Sequence, residues 1–171
     1  MTETTQTNPA PEEAVELRPN VVNLKKILVP LDFSGHARKA LNYAAKLAQQ
    51  FASQVTVVNV VAPVIYAEGM VLPAAMENLD RVSKEHAEAE LDKIAADMAS
   101  HKVSCDTHVL LGHPSDEVVN FAKKHETDLL LITTHGRTGL QHFLLGSTAE
   151  RIIRHAPCPV MVVRDQEHEF V

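Results

Sequence analysis

The chain has 171 residues, 45% of them hydrophobic, and a formal net charge of −6, which fits one globular domain with a substantial core. This acidic balance argues against broad affinity for nucleic acid or an anionic membrane, and no apolar run reaches the roughly 20 residues that span a bilayer. The Thr-, Glu- and Pro-rich N-terminus lacks the basic start and apolar centre of a secretory signal, and the only cysteines are Cys105 and Cys158. The expectation is a reducing cytoplasm rather than a disulfide framework.

Residues 1–23 show no hydrophobic period and read as a flexible tail, followed by a domain over 24–164 and a polar tail over 165–171. Ile27-Leu28-Val29 is a short buried strand that ends at Pro30-Leu31-Asp32-Phe33-Ser34, with Ser34 as N-cap of the next helix. Ala40, Leu41, Ala44, Ala45 and Ala48 recur at helical spacing between Ala37 and Ala52. Asp32 falls at the carboxyl end of the first strand, where open α/β sheets bind ligands; a turn-capping carboxylate is the alternative. Val55 to Val61 is β-branched and forms a second buried strand. Residues 62–77 read as an irregular packed crossover, with a lid or a partner surface as alternatives.

A long helix is expected from about Leu79 to Ser100, with Leu91, Ile94, Ala95 and Met98 inward and a charged face outward. Val103, Cys105, Thr107 and Val109 alternate with polar residues, as in a strand near an edge. Gly112-His113 turns the chain and Pro114 opens a helix; Ser115, Asp116 and Glu117 suit its first turn, and Val118, Phe121 and Ala122 its buried face. Asp128 to Thr134 is a fourth strand. Ser147 to His155 is a last helix with Ile152 and Ile153 apolar, stopped by Pro157-Cys158-Pro159 before a final strand, Val160 to Val163. Alternating strands and helices predict an α/β fold: one open parallel sheet with helices on both faces and its ligand site at carboxyl strand ends, where strand order reverses.

One stretch carries most of the chemistry. Thr133 to Thr148 reads T-T-H-G-R-T-G-L-Q-H-F-L-L-G-S-T and links a buried strand to a helix start. A helix N-terminus offers unpaired N–H groups and the positive end of a dipole, which favour an anion such as phosphate. Gly136, Gly139 and Gly146 let backbone approach a ligand, Ser147 and Thr148 add hydroxyls, and Arg137 adds positive charge. A plain glycine-rich turn is the alternative. Neither G-x-x-x-x-G-K-[ST] nor an early G-x-G-x-x-G is present, and the histidines and cysteines fall in no H-E-x-x-H or C-x-x-C pattern, so no protein-built metal site and no catalytic residue is assigned. His135 either touches phosphate or holds the loop, Arg137 either pairs with phosphate or stays exposed, and Cys158 reads as a buried structural thiol.

Five segments together resemble the universal stress protein family: I-L-V-P-L-D-F-S at 27–34, L-G-H-P at 111–114, T-H-G-R-T-G at 134–139, L-L-G-S-T-A-E at 144–150 and A-P-C-P-V-M-V-V at 156–163. The resemblance covers roughly 24–164. It implies a Rossmann-like, adenine nucleotide alpha hydrolase-like fold with five strands in the order 3-2-1-4-5, an adenine-nucleotide site, a homodimer formed through Val160–Val163, and a cytoplasmic stress role. The family's ATP-binding branch carries G-x-x-G, nine residues, then G-[ST]. Gly136, Gly146 and Ser147 match it, and Thr133 stands where the first glycine lies. By the same resemblance Pro30, Leu31, Asp32 and Val60 form the adenine side, with Ile132 at the end of the fourth strand. ATP, or AMP or ADP, is the expected ligand, with Mg²⁺ arriving on the phosphates and little hydrolysis; a protein partner would read the bound state. The alternatives are an interaction module of the same fold without nucleotide, and a weak ATPase.

Overall fold

The computed structural model describes residues 22–35, 37–62, 73–134 and 146–164, with the backbone alone described at 73–77. Residues 1–21 of the expected tail over 1–23, the expected tail at 165–171, and 63–72 of the expected crossover lie outside the described residues. Nine elements alternate among the described residues: β1 Lys26–Pro30, α1 Ala37–Phe51, β2 Gln54–Val61, α2 Pro73–Ser100, β3 Cys105–Leu111, α3 Pro114–Lys124, β4 Leu129–Thr133, α4 Ser147–His155 and β5 Val160–Val163. All strand pairs are parallel and the order is β3-β2-β1-β4-β5, the order that the family resemblance implies.

Period-two alternation divides the strand side chains between two cores. Ile27, Val29, Val55, Val57, Leu131 and Val163 face α1 and α2, where Ala40, Tyr43, Ala44, Leu91 and Met98 cover them. Leu28, Val58, Leu130 and Ile132 face α3 and α4, covered by Val118, Ala122, Ala149 and Ile152. Burial on both faces explains why the strands read as nearly continuous apolar runs.

The two ends of the sheet are tied differently. At the amino ends, Asp128 Oδ2 accepts the N–H groups of both Lys25 and Lys26 at 2.8 Å, fixing β1 beside β4. Three helices close onto their next strands through one backbone device. Ser53, Val103 and Thr127 donate to the carbonyls of Ala48, Met98 and Ala122, and Ala52, Lys102 and Glu126 before them take positive φ of 52°, 59° and 53°. This is the Schellman closure, built here without its usual glycine.

Several boundaries differ from expectation. Helix α2 begins at Pro73, ahead of Leu79, because proline suits a first helical position. Residues 78–86 are all exposed, so that part of the helix carries no apolar stripe to announce it. Ser34 is not a helix cap: α1 starts at Ala37, and the Ser34 Oγ is buried without a hydrogen-bond partner among the described residues. Instead the Ser34 N–H donates to Asp32 Oδ1 at 3.0 Å, and its carbonyl accepts from Ala37 at 3.1 Å. Ala52 lies beyond α1, Val103 precedes β3, and Phe121 and Cys158 are half-buried. Ile153 turns outward, while Ile152 fills the core.

Candidate functional site

β1 and β4 are neighbours, yet the chain leaves them toward opposite faces, to α1 on one side and α4 on the other. Such a divergence opens a crevice at the carboxyl ends. A cavity of about 300 Å³ lies there, lined by Pro30, Leu31 and Asp32 at the end of β1, Val58, Asn59 and Val60 of β2, and Ile132, Thr133 and Thr134 at the end of β4. Gly146, then Ser147, Thr148, Ala149 and Ile152 of α4, and Pro114 and Val118 of α3 complete the wall.

Nine of the thirteen residues singled out in the sequence line this one cavity: Pro30, Leu31, Asp32, Val60, Ile132, Thr133, Gly146, Ser147 and Thr148. His135, Gly136, Arg137 and Gly139 lie outside the described residues. The described residues on either side of them meet: the Gly146 N–H donates to the Thr134 carbonyl at 3.0 Å. Gly146 has φ −70° and ψ 150° and provides no side-chain cap for α4. The first turn of that helix therefore borders the crevice with Ser147 and Thr148 exposed, and its dipole favours negative charge there. Opposite stands Asp32, whose carboxylate already orders the β1–α1 turn by accepting the Ser34 N–H. Phe33 follows it with φ 62°, an unusual conformation for a side chain of that size, and packs against the α1/α2 core. The turn thus puts Asp32 at the crevice and half-buried Phe33 against the α1/α2 core.

The base of the crevice is apolar, formed by Val58, Val118, Ile132 and Ile152, which suits a flat ring more than a second charge. Charge at its border is largely paired. Arg151 of α4 lies 3.0 Å from Asp116 of α3 and so joins the two helices. His113 Nδ1 is 3.0 Å from Ser115 Oγ. The thiols take no part: burial, then the Asp106 carboxylate, pushes Cys105 up from 9.0 to about 11, and burial, then Asp128, raises Cys158.

Residues missed in the sequence are Val58, Asn59, Pro114, Val118, Thr134, Ala149 and Ile152. Most are core side chains whose outer ends reach the crevice, and the sequence does not mark that. Asn59 had a signal, as the single amide within Val57-Val58-Asn59-Val60-Val61.

An open five-stranded parallel sheet in this order, with a helix N-terminus at its switch point, defines the adenine nucleotide alpha hydrolase-like fold. The chain belongs to the universal stress protein family, whose model matches residues 23–164. It is 35% identical over 147 residues to a universal stress protein of Methanocaldococcus jannaschii, covering 85% of each chain. Among solved structures it is similar to the universal stress protein UspA of Lactobacillus plantarum, at 27% identity and TM-score 0.77, covering 84% of this chain and all of that one. An Arabidopsis thaliana family protein with AMP bound shares the fold at 19% identity and TM-score 0.58, over 83% of this chain and 92% of that one.

Proposed function

We propose that the crevice binds an adenine nucleotide, ATP or its mono- or diphosphate, as a regulatory ligand. The observation that carries this reading is the facing of Asp32, at the end of β1, by Gly146, Ser147 and Thr148 at the open start of α4, across an apolar cavity. The base lies against the β1–β2 side, near Asp32 and Val60. The phosphates lie at the α4 start, with Gly136, Gly139, His135 and Arg137 of the preceding sequence also assigned to them, and Mg²⁺ accompanies them with several waters. The AMP carried by the Arabidopsis relative is in keeping with this arrangement.

Asp32 is the single carboxylate among the described lining residues, and it holds a turn. A general base placed for water attack is not assigned, so hydrolysis is slow or absent. The protein acts in the cytoplasm, pairs as a homodimer through the outer edge of β5, and presents a nucleotide-dependent state to a protein partner. A second reading, an interaction module without nucleotide, rests on Thr133, which borders the cavity where the family pattern has glycine.

Calorimetric titration of nucleotide-stripped protein with ATP·Mg²⁺ and with AMP separates the readings. Micromolar binding that Asp32→Ala weakens supports the first. No heat of binding up to millimolar nucleotide overturns it in favour of the second.

A further inference from the structure

The β1–β2 ladder ends in an unusual way. Pro30 is the last β1 residue in register, opposite Val58. The Leu31 N–H still donates to the Val58 carbonyl at 2.8 Å, which continues the parallel pattern by one step. The next bond in such a ladder runs from the Val60 N–H to the Leu31 carbonyl. That carbonyl is instead taken by a side chain: Asn59 Nδ2 donates to it at 2.7 Å. Asn59 is only 7% exposed, and its amide sits among valines, where an unpaired polar group is costly. Among the described residues, no backbone bond joins Val60 to Leu31.

We propose that Asn59 is a positioning residue: by occupying the Leu31 carbonyl it stops the ladder one residue early and leaves the Val60 peptide edge turned toward the crevice. In a parallel strand the N–H and C=O of one residue point to the same neighbour, so Val60 offers a donor and an acceptor side by side. That pair matches a base with a ring-nitrogen acceptor beside an amino donor, as in adenine, and mismatches hypoxanthine, where both are inverted. The same bond anchors Leu31, directly before Asp32, and so also fixes the turn that carries the carboxylate.

This inference rests on the nucleotide reading for its selectivity but not for its backbone claim, and the test separates the two. Amide hydrogen exchange, read by NMR without nucleotide, reports on Val60 directly. In the natural protein the Val60 amide is expected to exchange at least about tenfold faster than that of Val58. In Asn59→Leu the Leu31 carbonyl is released, the ladder closes, and Val60 gains protection. AMP affinity then falls by about tenfold or more, and the preference for AMP over IMP shrinks with it. A purely structural amide would lower the melting temperature without changing Val60 exchange or the AMP-to-IMP ratio, which overturns the proposal. Equal protection of Val60 and Val58 in the natural protein also overturns it, and needs no variant to fold. If the exchange pattern holds but neither nucleotide binds, the backbone claim stands and the base selectivity is overturned together with the nucleotide reading.

Discussion

Two glycines at the carboxyl end of the sheet answer to different causes, and alanine at each tells those causes apart. Gly146 has φ −70° and ψ 150°, open to any residue, and a Cβ there would lie 3.4 Å from the Thr134 carbonyl oxygen. Alanine therefore restricts the unfolded chain without straining the folded one, and stability should change by no more than about 0.5 kcal/mol. The added methyl does intrude on the cavity wall where the phosphates are placed. A weakening of AMP and ATP binding by about ten- to a hundredfold, or about 1.4–2.8 kcal/mol, is expected. Gly112 has φ +145°, and a Cβ there would meet Glu117 side-chain atoms at 2.8 Å. Glu117 can swing aside, but the backbone angle is one that side chains rarely adopt. Gly112→Ala should cost about 1–3 kcal/mol, a fall of about 3–10 °C in melting temperature for a chain of this length. Thermal denaturation followed by circular dichroism, with calorimetric titration on each variant, gives both readouts. If Gly146→Ala melts as early as Gly112→Ala, or binds nucleotide like the natural protein, the assignment of Gly146 to the phosphate cradle is wrong.

Asp128→Ala removes the acceptor of two backbone N–H groups at the exposed start of β1 and should cost about 2 kcal/mol in urea unfolding, with Asp128→Asn costing less; an unchanged midpoint would show those bonds to be worth nothing net. Glycine at Ala52 or Glu126 relieves a left-handed residue in a helix closure and should raise stability by about 0.5–1 kcal/mol each, and a loss instead would refute the strain argument. Cys105 has its folded pKa raised, so its neutral thiol favours folding below the unfolded value near 9, and that contribution is lost as pH rises through about 11. Its reaction with a disulfide reagent at pH 8 should be slower in the folded than in the unfolded chain, and equal rates would remove the burial argument. On β5, the Leu130 N–H donates to the Pro159 carbonyl, so alternation turns the Val160 and Val162 N–H groups outward. Val162→Pro should then give a monomer by light scattering while β4–β5 pairing survives, and a natural protein already monomeric at tens of micromolar would end the dimer proposal.

Much of this molecule was legible in the chain itself. Doubly buried parallel strands need continuous apolar runs, so Val55–Val61 and Leu129–Ile132 were plain. Pro114 and Pro157 mark a helix start and a helix stop through geometry that is local. Gly146, Ser147 and Thr148 stood out by residue type at a helix start, a feature that depends on neighbours in sequence, and all three line the cavity. The start of α2 was not legible, since an exposed helical stretch buries nothing and leaves no period. The role of Ser34 was misread because Asp32, two residues earlier, offers a stronger acceptor to the same turn.

What only the tertiary structure decided is what lies across the sheet. Strand order follows from how helices of fixed hand pack on each face, a property of the whole chain, and it alone brings Asp32 within one cavity of Gly146. It also converts ordinary core residues, Val58, Val118 and Ile152, into the apolar base of that cavity. Asn59 shows the division most clearly: the sequence displays a polar residue in a valine strand, but the bond that ends the ladder depends on where the Leu31 carbonyl lies, twenty-eight residues away in the chain.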